Sequence, residues 1–175
     1  MRIRPATAHD AGRIAQLWEA AWRDGHVGHI PDELLVHRQS DSFEQRTAVM
    51  IERTHVAEVD GAIVGFVTLK GDEVDQLMVD SSARGTGVAP ALLADGARRI
   101  LEAGHPQPWL AVVTGNARAR HFYEREGWRD AGHLDYEAPI QGGTVRVSCR
   151  RYELSLPPAG MPAAGSVAGS GSTTR

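Results

Sequence analysis

The sequence predicts one α/β domain with a mixed order of strands and helices, followed by a short tail. Its 175 residues, 42% of them hydrophobic and 23% charged, are enough to enclose one core. The period of the apolar residues changes along the chain in the order strand, helix, helix, three strands, helix, strand, helix, two strands. A glycine turn in residues 77–89 joins a strand to a helix in the middle of this order. We therefore expect a domain of residues 1–154. Residues 155–175, which are rich in Pro, Gly, Ala and Ser, are predicted to be a disordered tail.

The composition excludes some classes of partner. A net charge of −3 gives no basic field for a nucleic-acid backbone, so no nucleic-acid partner is expected, and it weakly favours a cationic acceptor molecule. Cys149 is the single cysteine, which rules out an internal disulfide. Neither a secretory leader nor an apolar run of membrane length is recognisable in the sequence. These features predict a cytoplasmic protein without a membrane partner.

The first third of the sequence predicts a strand followed by helical segments. After the strand, Thr7 and Asp10 form a pair typical of a helix N-terminus, and apolar residues then repeat at helical spacing. Pro31 predicts the start of a second helix, because proline is tolerated in the first turn. Residues 42–51 form a second amphipathic stretch, in which Ser42 and Gln45 have the spacing of a capping box.

Between the first two helices, a glycine-broken linker contains His26 and His29. Because histidine ionises near neutral pH, either ring could act as a base or contact an acceptor molecule, and both could equally be exposed loop residues. No cysteine or carboxylate cluster completes a set of metal ligands with them, so no metal site is expected.

The strand of residues 73–79 carries two acids. Strict alternation places Glu73 and Asp75 on one face, together with Leu77 and Val79. Carboxylates two residues apart on one face are about 7 Å from each other, so each charge raises the pKa of the other in a poorly solvated cleft. The pair therefore predicts a carboxylate that works as a base near neutral pH.

The stretch LMVDSSARGTGVA, residues 77–89, ends this strand and begins a helix. Gly85 and Gly87 allow the backbone to approach a ligand closely, and the first N–H groups of the helix have no acceptor within it. With the helix dipole, these features suit a phosphate or pyrophosphate. Two common phosphate loops are absent, because no Lys follows the glycines and Pro90 stands where a third glycine would be required.

The last third of the domain predicts a buried strand over residues 108–114 and then a helix that begins at Asn116, a good cap residue. Two closing strands follow, over residues 128–136 and 144–154. Cys149 lies on the apolar face of the last strand, so we expect a buried thiol and not a nucleophile.

Two of these stretches resemble motifs of the GNAT superfamily, the acyl-CoA-dependent N-acetyltransferases. Arg-x-x-Gly-x-Ala at residues 84–89, after a strand that ends in Leu-x-Val, is similar to motif A of that family. Asn-x-x-Ala-x-x-x-Tyr-x-x-x-Gly-Trp at residues 116–128 is similar to motif B and follows one strand later. Ser81 departs from the family pattern, which commonly has proline there. The resemblance covers residues 1–154 and implies a mixed, twisted sheet of six to seven strands, splayed between the fourth and fifth, with helices on both faces.

The resemblance also implies roles for particular residues. Tyr123 would be the general acid that protonates the CoA thiolate, and Glu73 or its water would take a proton from the amine. The residues implied to bind acetyl-CoA are Leu77, Met78, Val79, Arg84, Gly85, Thr86, Gly87, Val88, Ala89 and Asn116. The residues implied to contact the acceptor are Trp22, His26, His29 and Tyr136.

The function expected from the resemblance is direct transfer of an acetyl group from acetyl-CoA to a primary amine of a small molecule, without a metal. Two alternatives stay open: an N-acetyltransferase that acts on a protein or peptide, and a non-catalytic module that binds acyl-CoA. The sequence also leaves open which amine is the acceptor, the length of the acyl chain, and whether the protein forms a homodimer. Either Glu73 or one of the two linker histidines is the base.

Overall fold

The structure, a computed structural model, describes residues 1–26 and 28–155. Its strands are β1 Arg2–Pro5, β2 Thr54–Val59, β3 Ala62–Lys70, β4 Glu73–Val79, β5 Trp109–Val113, β6 Trp128–Ile140 and β7 Gly143–Leu154. Its helices are α1 Ala11–His26, α2 Asp32–Val36, α3 Ser40–Met50, α4 Val88–Glu102 and α5 Ala117–Arg125. Apart from Ser155, the tail predicted to be disordered lies outside the described residues. None of the helices in the described ranges is long and apolar enough to cross a membrane.

The strands form one sheet in the order β1-β2-β3-β4-β5-β7-β6. Neighbouring strands are antiparallel except β4 and β5, which are parallel and pair at one position, Glu73 beside Trp109. The contact is reinforced by Asp72, whose carbonyl accepts from the Trp109 backbone N–H at 3.1 Å and whose carboxylate accepts from the indole N–H at 2.9 Å. Beyond this point the strands diverge. The splay between the fourth and fifth strands is therefore confirmed.

Two apolar cores lie on opposite faces of the sheet. On one face α1 and α3 pack together around Trp18, which makes edge contacts with Phe43 and Phe66 at 5.5 and 5.9 Å between ring centroids. On the other face α4 buries Leu92 and Leu93 completely. The predicted arrangement of helices on both faces is confirmed.

The helix termini follow one of the two predicted capping patterns. The N–H of Thr7 donates to the carboxylate of Asp10 at 2.8 Å, as predicted. The predicted capping box at Ser42 is wrong, because α3 begins two residues earlier with Gln39 as its cap residue. The Ser42 hydroxyl is buried and has no hydrogen-bond partner among the described residues.

A β-bulge in β4 changes the face on which the acids lie. The register of β3 against β4 leaves Asp75 as an extra residue between Val74 and Gln76. An extra residue inverts the alternation, so Val74 packs into the α4 core with Leu77, and Glu73 faces the α1 and α3 side. The prediction that the acids share the face of Leu77 is therefore wrong, since strict alternation cannot anticipate a bulge.

Candidate active site

The splay opens a cleft of about 1200 Å³ between the two halves of the sheet. Most of the residues that the sequence assigns to acetyl-CoA, acceptor or catalysis line this one cleft: Trp22, His26, Glu73, Leu77, Met78, Val79, Arg84, Gly85, Gly87, Ala89, Asn116, Tyr123 and Tyr136. The structure does not bring His29, Thr86 and Val88 to the cleft wall. Strands, a helix N-terminus and a hairpin distant in sequence therefore converge on one space.

The glycine turn presents a group of backbone amides to the cleft. Gly85 and Gly87 have φ angles of +75° and +88°, a conformation that side chains with a Cβ rarely adopt. The N–H groups of both glycines, and those of Val88 and Ala89, have no acceptor among the described residues. Such amides at the N-terminus of a 15-residue helix can hold an anion. Pro90, in the first turn, contributes no N–H.

The side chains of the turn have structural contacts of their own. The hydroxyl of Thr86 donates to the carbonyl of Ala83 at 2.6 Å, so this side chain shapes the turn. Val88 is buried in the α4 core and can contact a ligand only through its backbone. Arg84 is paired with Asp24 at 2.5 Å, and Arg118 binds the same carboxylate at 2.7 Å. These two cations hold the pKa of Asp24 below its usual range.

Asn116 ties two elements together beside the cleft. Its side-chain oxygen accepts from the N–H of Ala119 at 3.0 Å, which caps α5 as predicted. Its amide nitrogen donates to the carbonyl of Gly25 near the end of α1 at 2.9 Å. Both groups of this amide are therefore committed to holding the cleft wall.

Tyr123 lies on α5 and its side chain is half-buried. The ring makes edge contacts with Phe122 and Trp128 at 5.0 and 6.4 Å and lies 6.1 Å from Tyr152. Burial raises the pKa of the phenol well above 10, so the hydroxyl carries its proton at neutral pH. That protonation state is the one required of a general acid.

Glu73 begins β4 and is 6% exposed. Burial, and then the negative charge of Asp75, raise its pKa from 4.5 to about 7, although Lys70 and the hydroxyl of Tyr136 oppose the shift. The bulge thus keeps the two acids close enough to interact. A carboxyl group with a pKa near 7 exchanges protons readily at neutral pH.

The residues assigned to the acceptor occupy different positions. Trp22 is buried and stacks on His26, with ring centroids 5.0 Å apart. The Nδ1–H of His26 donates to the carbonyl of Trp22 at 2.9 Å, and burial lowers the pKa of the ring, which is therefore neutral at pH 7. His29 is exposed and packs against Gly115. Tyr136 is half-buried, and burial and the acids on β4 raise its pKa.

Sequence reasoning missed several basic residues that line the cleft, among them Arg38, Arg46, Arg53 and Lys70. One signal was available for Arg46. It falls at helical spacing within the buried stripe of α3 formed by Phe43, Thr47 and Met50, where a charged residue is unexpected.

Two further observations concern metals and thiols. The described residues contain no group of three or more His, Cys, Asp or Glu side chains arranged to hold a metal ion. Cys149 lines the cleft but is buried, and burial raises its pKa to about 11, so the thiol remains protonated at neutral pH.

Comparison with known proteins gives consistent results. The model of the Acetyltransferase (GNAT) family matches residues 13–128. The chain is 38% identical to the mycothiol acetyltransferase of Clavibacter sepedonicus over 78 aligned residues. The alignment covers 42% of this chain and 26% of that protein. The chain spans between about a quarter and a half of the length of the curated relatives it matches.

Solved structures share the fold. The ribosomal-protein-alanine N-acetyltransferase of Brucella melitensis superposes with a TM-score of 0.67 at 20% identity, covering 89% of this chain and 100% of that one. The PaiA N-acetyltransferase of Thermoplasma acidophilum, solved in complex with coenzyme A, superposes with a TM-score of 0.65 at 14% identity. The superposition covers 89% of this chain and 98% of that one. At these identities the likeness is one of fold.

Proposed function

The chain belongs to the acetyltransferase (GNAT) family, and on that premise we propose that it moves an acetyl group from acetyl-CoA to the primary amine of a small molecule. The observation that carries the proposal is Glu73, a buried carboxyl group with a pKa of about 7. It lines the same cleft as the free amides of the glycine turn and Tyr123.

In the proposed mechanism the transfer is direct. Glu73, or a water that it holds, takes a proton from the amine, whose nitrogen then attacks the thioester carbonyl carbon. A backbone N–H of residues 77–79 donates to the oxyanion, since the edge of β4 that faces β5 has no strand partner beyond Glu73 in the described residues. When the carbon–sulfur bond breaks, the Tyr123 hydroxyl gives its proton to the thiolate.

Acetyl-CoA fits the remaining part of the cleft. The amides of Gly85, Gly87, Val88 and Ala89 would hold the pyrophosphate, and the unpaired edge of β4 would pair with the pantetheine arm. Arg84 would also contact the pyrophosphate if its guanidinium left the ion pair with Asp24. The relative solved with coenzyme A supports this choice of donor.

The small acceptor is favoured by how the cleft is closed near Glu73. The guanidinium of Arg38 donates to the carbonyl of Pro139 at 2.8 Å, which joins the connection between α2 and α3 to β6. A wall closed in this way suits a small molecule better than a peptide. The protein acceptor remains the second candidate, because the name of one structural neighbour refers to a ribosomal protein.

We also propose a cytoplasmic location and a catalytic domain of residues 1–154.

The test is release of CoA thiol from acetyl-CoA with a panel of amines, amino acids, polyamines, aminoglycosides and peptides. The wild type is compared with Tyr123→Phe, and with Tyr152→Phe, which removes a hydroxyl outside the cleft wall that bonds Glu124 and Arg120 and so controls for a disturbance of α5. We expect turnover with one acceptor class and a loss of about tenfold or more in kcat for Tyr123→Phe alone. Equal turnover by both variants would remove Tyr123 from the mechanism.

The non-catalytic alternative predicts a different pattern. If no acceptor in the panel is acetylated while acetyl-CoA still raises the melting temperature, the protein binds acyl-CoA without transferring it to these amines. His26→Asn tests the one of the two linker histidines that lines the cleft as an alternative base. A loss of activity in that variant, with Glu73→Gln remaining active, would assign proton removal to the histidine.

A further inference from the structure

The end of the cleft that contains Glu73 has an unusual concentration of unpaired positive charge. Most arginines of the described residues have a carboxylate oxygen within 4 Å. The exceptions in those ranges are Arg2, Arg38, Arg46 and Arg53, and all but Arg2 line the cleft. Lys70 lines it as well. Because most other guanidinium groups in residues 1–26 and 28–155 are paired, this clustering requires an explanation.

Arg46 has no carboxylate oxygen within 4 Å among the described residues, but it contacts an aromatic ring. Its guanidinium carbon lies 4.3 Å from the centroid of the Trp18 ring, which is within the range of a cation–π contact. Burial and the positive charge of Arg38 lower its pKa to about 10, and Asp75 opposes the shift from beyond ion-pair distance. The group is still charged at pH 7, because that pKa is about three units higher.

Arg38 is 4% exposed, and among the described residues its guanidinium donates only to uncharged carbonyl groups. It donates to the carbonyl of Pro139 at 2.8 Å and weakly to that of His37 at 3.4 Å. A guanidinium has five N–H groups, so these two bonds leave others free. A buried cation without a counter-ion is costly, and an anion bound next to it would remove much of that cost.

Lys70 and Arg46 lie toward the other end of β4 from the turn proposed to hold the pyrophosphate, since Arg46 interacts with the charge of Asp75. In the register of the sheet Lys70 pairs with Glu73, at the opposite end of β4 from Arg84. Between Glu73 and Val79 the partner strand runs from Lys70 to Gly65, five strand steps that span roughly 17 Å. The phosphates of one CoA bound at the glycine turn therefore do not neutralise this group of cations.

We propose that the acceptor is a small amine that carries a carboxylate, with its amine toward Glu73 and its carboxylate on Arg46 and Arg38. The proposal rests on the proposed function, and it reverses the weak preference for a cationic acceptor that the net charge of the whole chain indicated. A free amino acid is the simplest molecule of this kind. The two guanidinium groups act as specificity determinants, and Glu73 and Asp75 hold the ammonium end before it loses its proton.

The first experiment compares amino acids with their own amides as acceptors in the thiol-release assay. The amide keeps the size and the amine but loses the negative charge. Its amine is also less basic and more deprotonated at neutral pH, so proton availability alone would favour the amide. We expect kcat/KM to be at least about tenfold higher for the acid. Equal kcat/KM values for amino acids, their amides and amines that lack a carboxylate would overturn the inference and leave the proposed function intact.

The second experiment uses substitutions. Arg46→Gln is expected to raise KM for the amino acid on the order of 30-fold or more, since it removes one partner of a desolvated charge pair, with KM for acetyl-CoA unchanged. Arg46→Lys should recover part of the loss, because it keeps the charge but not the forked geometry. Arg2→Gln removes an exposed, equally unpaired arginine outside the cleft and should change neither value. An unchanged KM in Arg46→Gln would refute the assignment.

Binding gives a readout that does not depend on turnover. N-acetylglycine and N-acetylglycinamide, titrated by NMR into the CoA-bound protein, carry the product amide with and without the carboxylate. Binding of N-acetylglycine alone, weakened by Arg46→Gln, would support the inference even if no amine were acetylated. Failure of both to bind would overturn it. A clear preference for aminomethylphosphonate over glycine as acceptor would replace the carboxylate by a phosphonate or phosphate and overturn the choice of anion.

Discussion

Replacing Glu73 by glutamine should make the protein more stable and less active. The buried carboxyl group has a pKa of about 7 instead of 4.5, so the native state keeps a proton that the unfolded chain has released between these values. The free energy of unfolding of the wild type therefore falls as pH rises from about 4.5 to about 7. Above that range the loss is complete. The difference between the two pKa values corresponds to a loss of about 3 kcal/mol in the free energy of unfolding.

A glutamine is neutral at every pH and avoids this loss. The variant should exceed the wild type in stability by roughly 1 kcal/mol at pH 5 and by about 3 kcal/mol at pH 8. Urea unfolding at both pH values measures the difference. Glu44→Gln, which alters an exposed glutamate on α3, should differ from the wild type by the same small amount at both. A Glu73→Gln variant whose advantage does not grow with pH would refute burial as the cause of the raised pKa.

The same substitution should reduce kcat/KM by about 100-fold or more, which is the usual contribution of a positioned base. In the wild type kcat/KM should rise with pH through an apparent pKa of about 7, as Glu73 becomes able to accept a proton. The variant should lose this dependence together with the activity. Glu73 would then be a residue retained at a cost in stability, which is common where function needs a destabilised group.

Three other substitutions test neighbouring parts of the site. Asp75→Asn removes a charge that raises the pKa of Glu73, so the rise of kcat/KM should move to lower pH; an unmoved pH profile would mean that the two acids do not interact. Gly87→Ala forces a Cβ into a φ of +88° and should cost about 1–2 kcal/mol of stability while sharply weakening CoA binding in calorimetry. Gly61→Ala, at +80° in a distant hairpin turn, should match the loss of stability but bind CoA normally, and equal binding by both would separate the turn from the phosphates. Asn116→Ala should lower stability by about 1 kcal/mol through the lost cap of α5, measured in urea, whereas Asn116→Asp should keep the cap; equal loss in both would assign the effect to the contact with α1.

Much of the architecture is encoded locally, which explains why the sequence predicts it. The glycine turn requires Gly85 and Gly87 for its positive φ angles, and the cap of α5 requires a residue such as Asn116. Each signal lies within a few neighbouring residues. The same holds for the capping pair at Thr7 and for the order of strands and helices, so the fold class and both motif positions could be predicted.

The parts that the sequence does not predict depend on pairing between distant residues. The bulge at Asp75 exists only in the register of β4 against β3, and it moves Glu73 to the opposite face. Arg38 is half of a contact with Pro139, about a hundred residues away, so its neighbours in sequence give no sign of it. Arg46 was visible as a charge within an apolar stripe, but its meaning appears only beside the cleft.

Within the described residues β4 and β5 share one paired position, and this short pairing also determines how the domain can deform. Strands β1 to β4 form one hydrogen-bonded half of the sheet, and β5, β7 and β6 form the other. The two halves are joined by the pairing of Glu73 with Trp109 and by the hydrogen bonds from Trp109 to Asp72. Amides on the two inner edges should exchange their hydrogens with solvent almost as fast as those of outer strands, although they lie in the middle of the sheet. A molecule that binds along β4 would connect the two halves of the sheet. The rate of hydrogen exchange at both inner edges should therefore fall when the cleft is occupied.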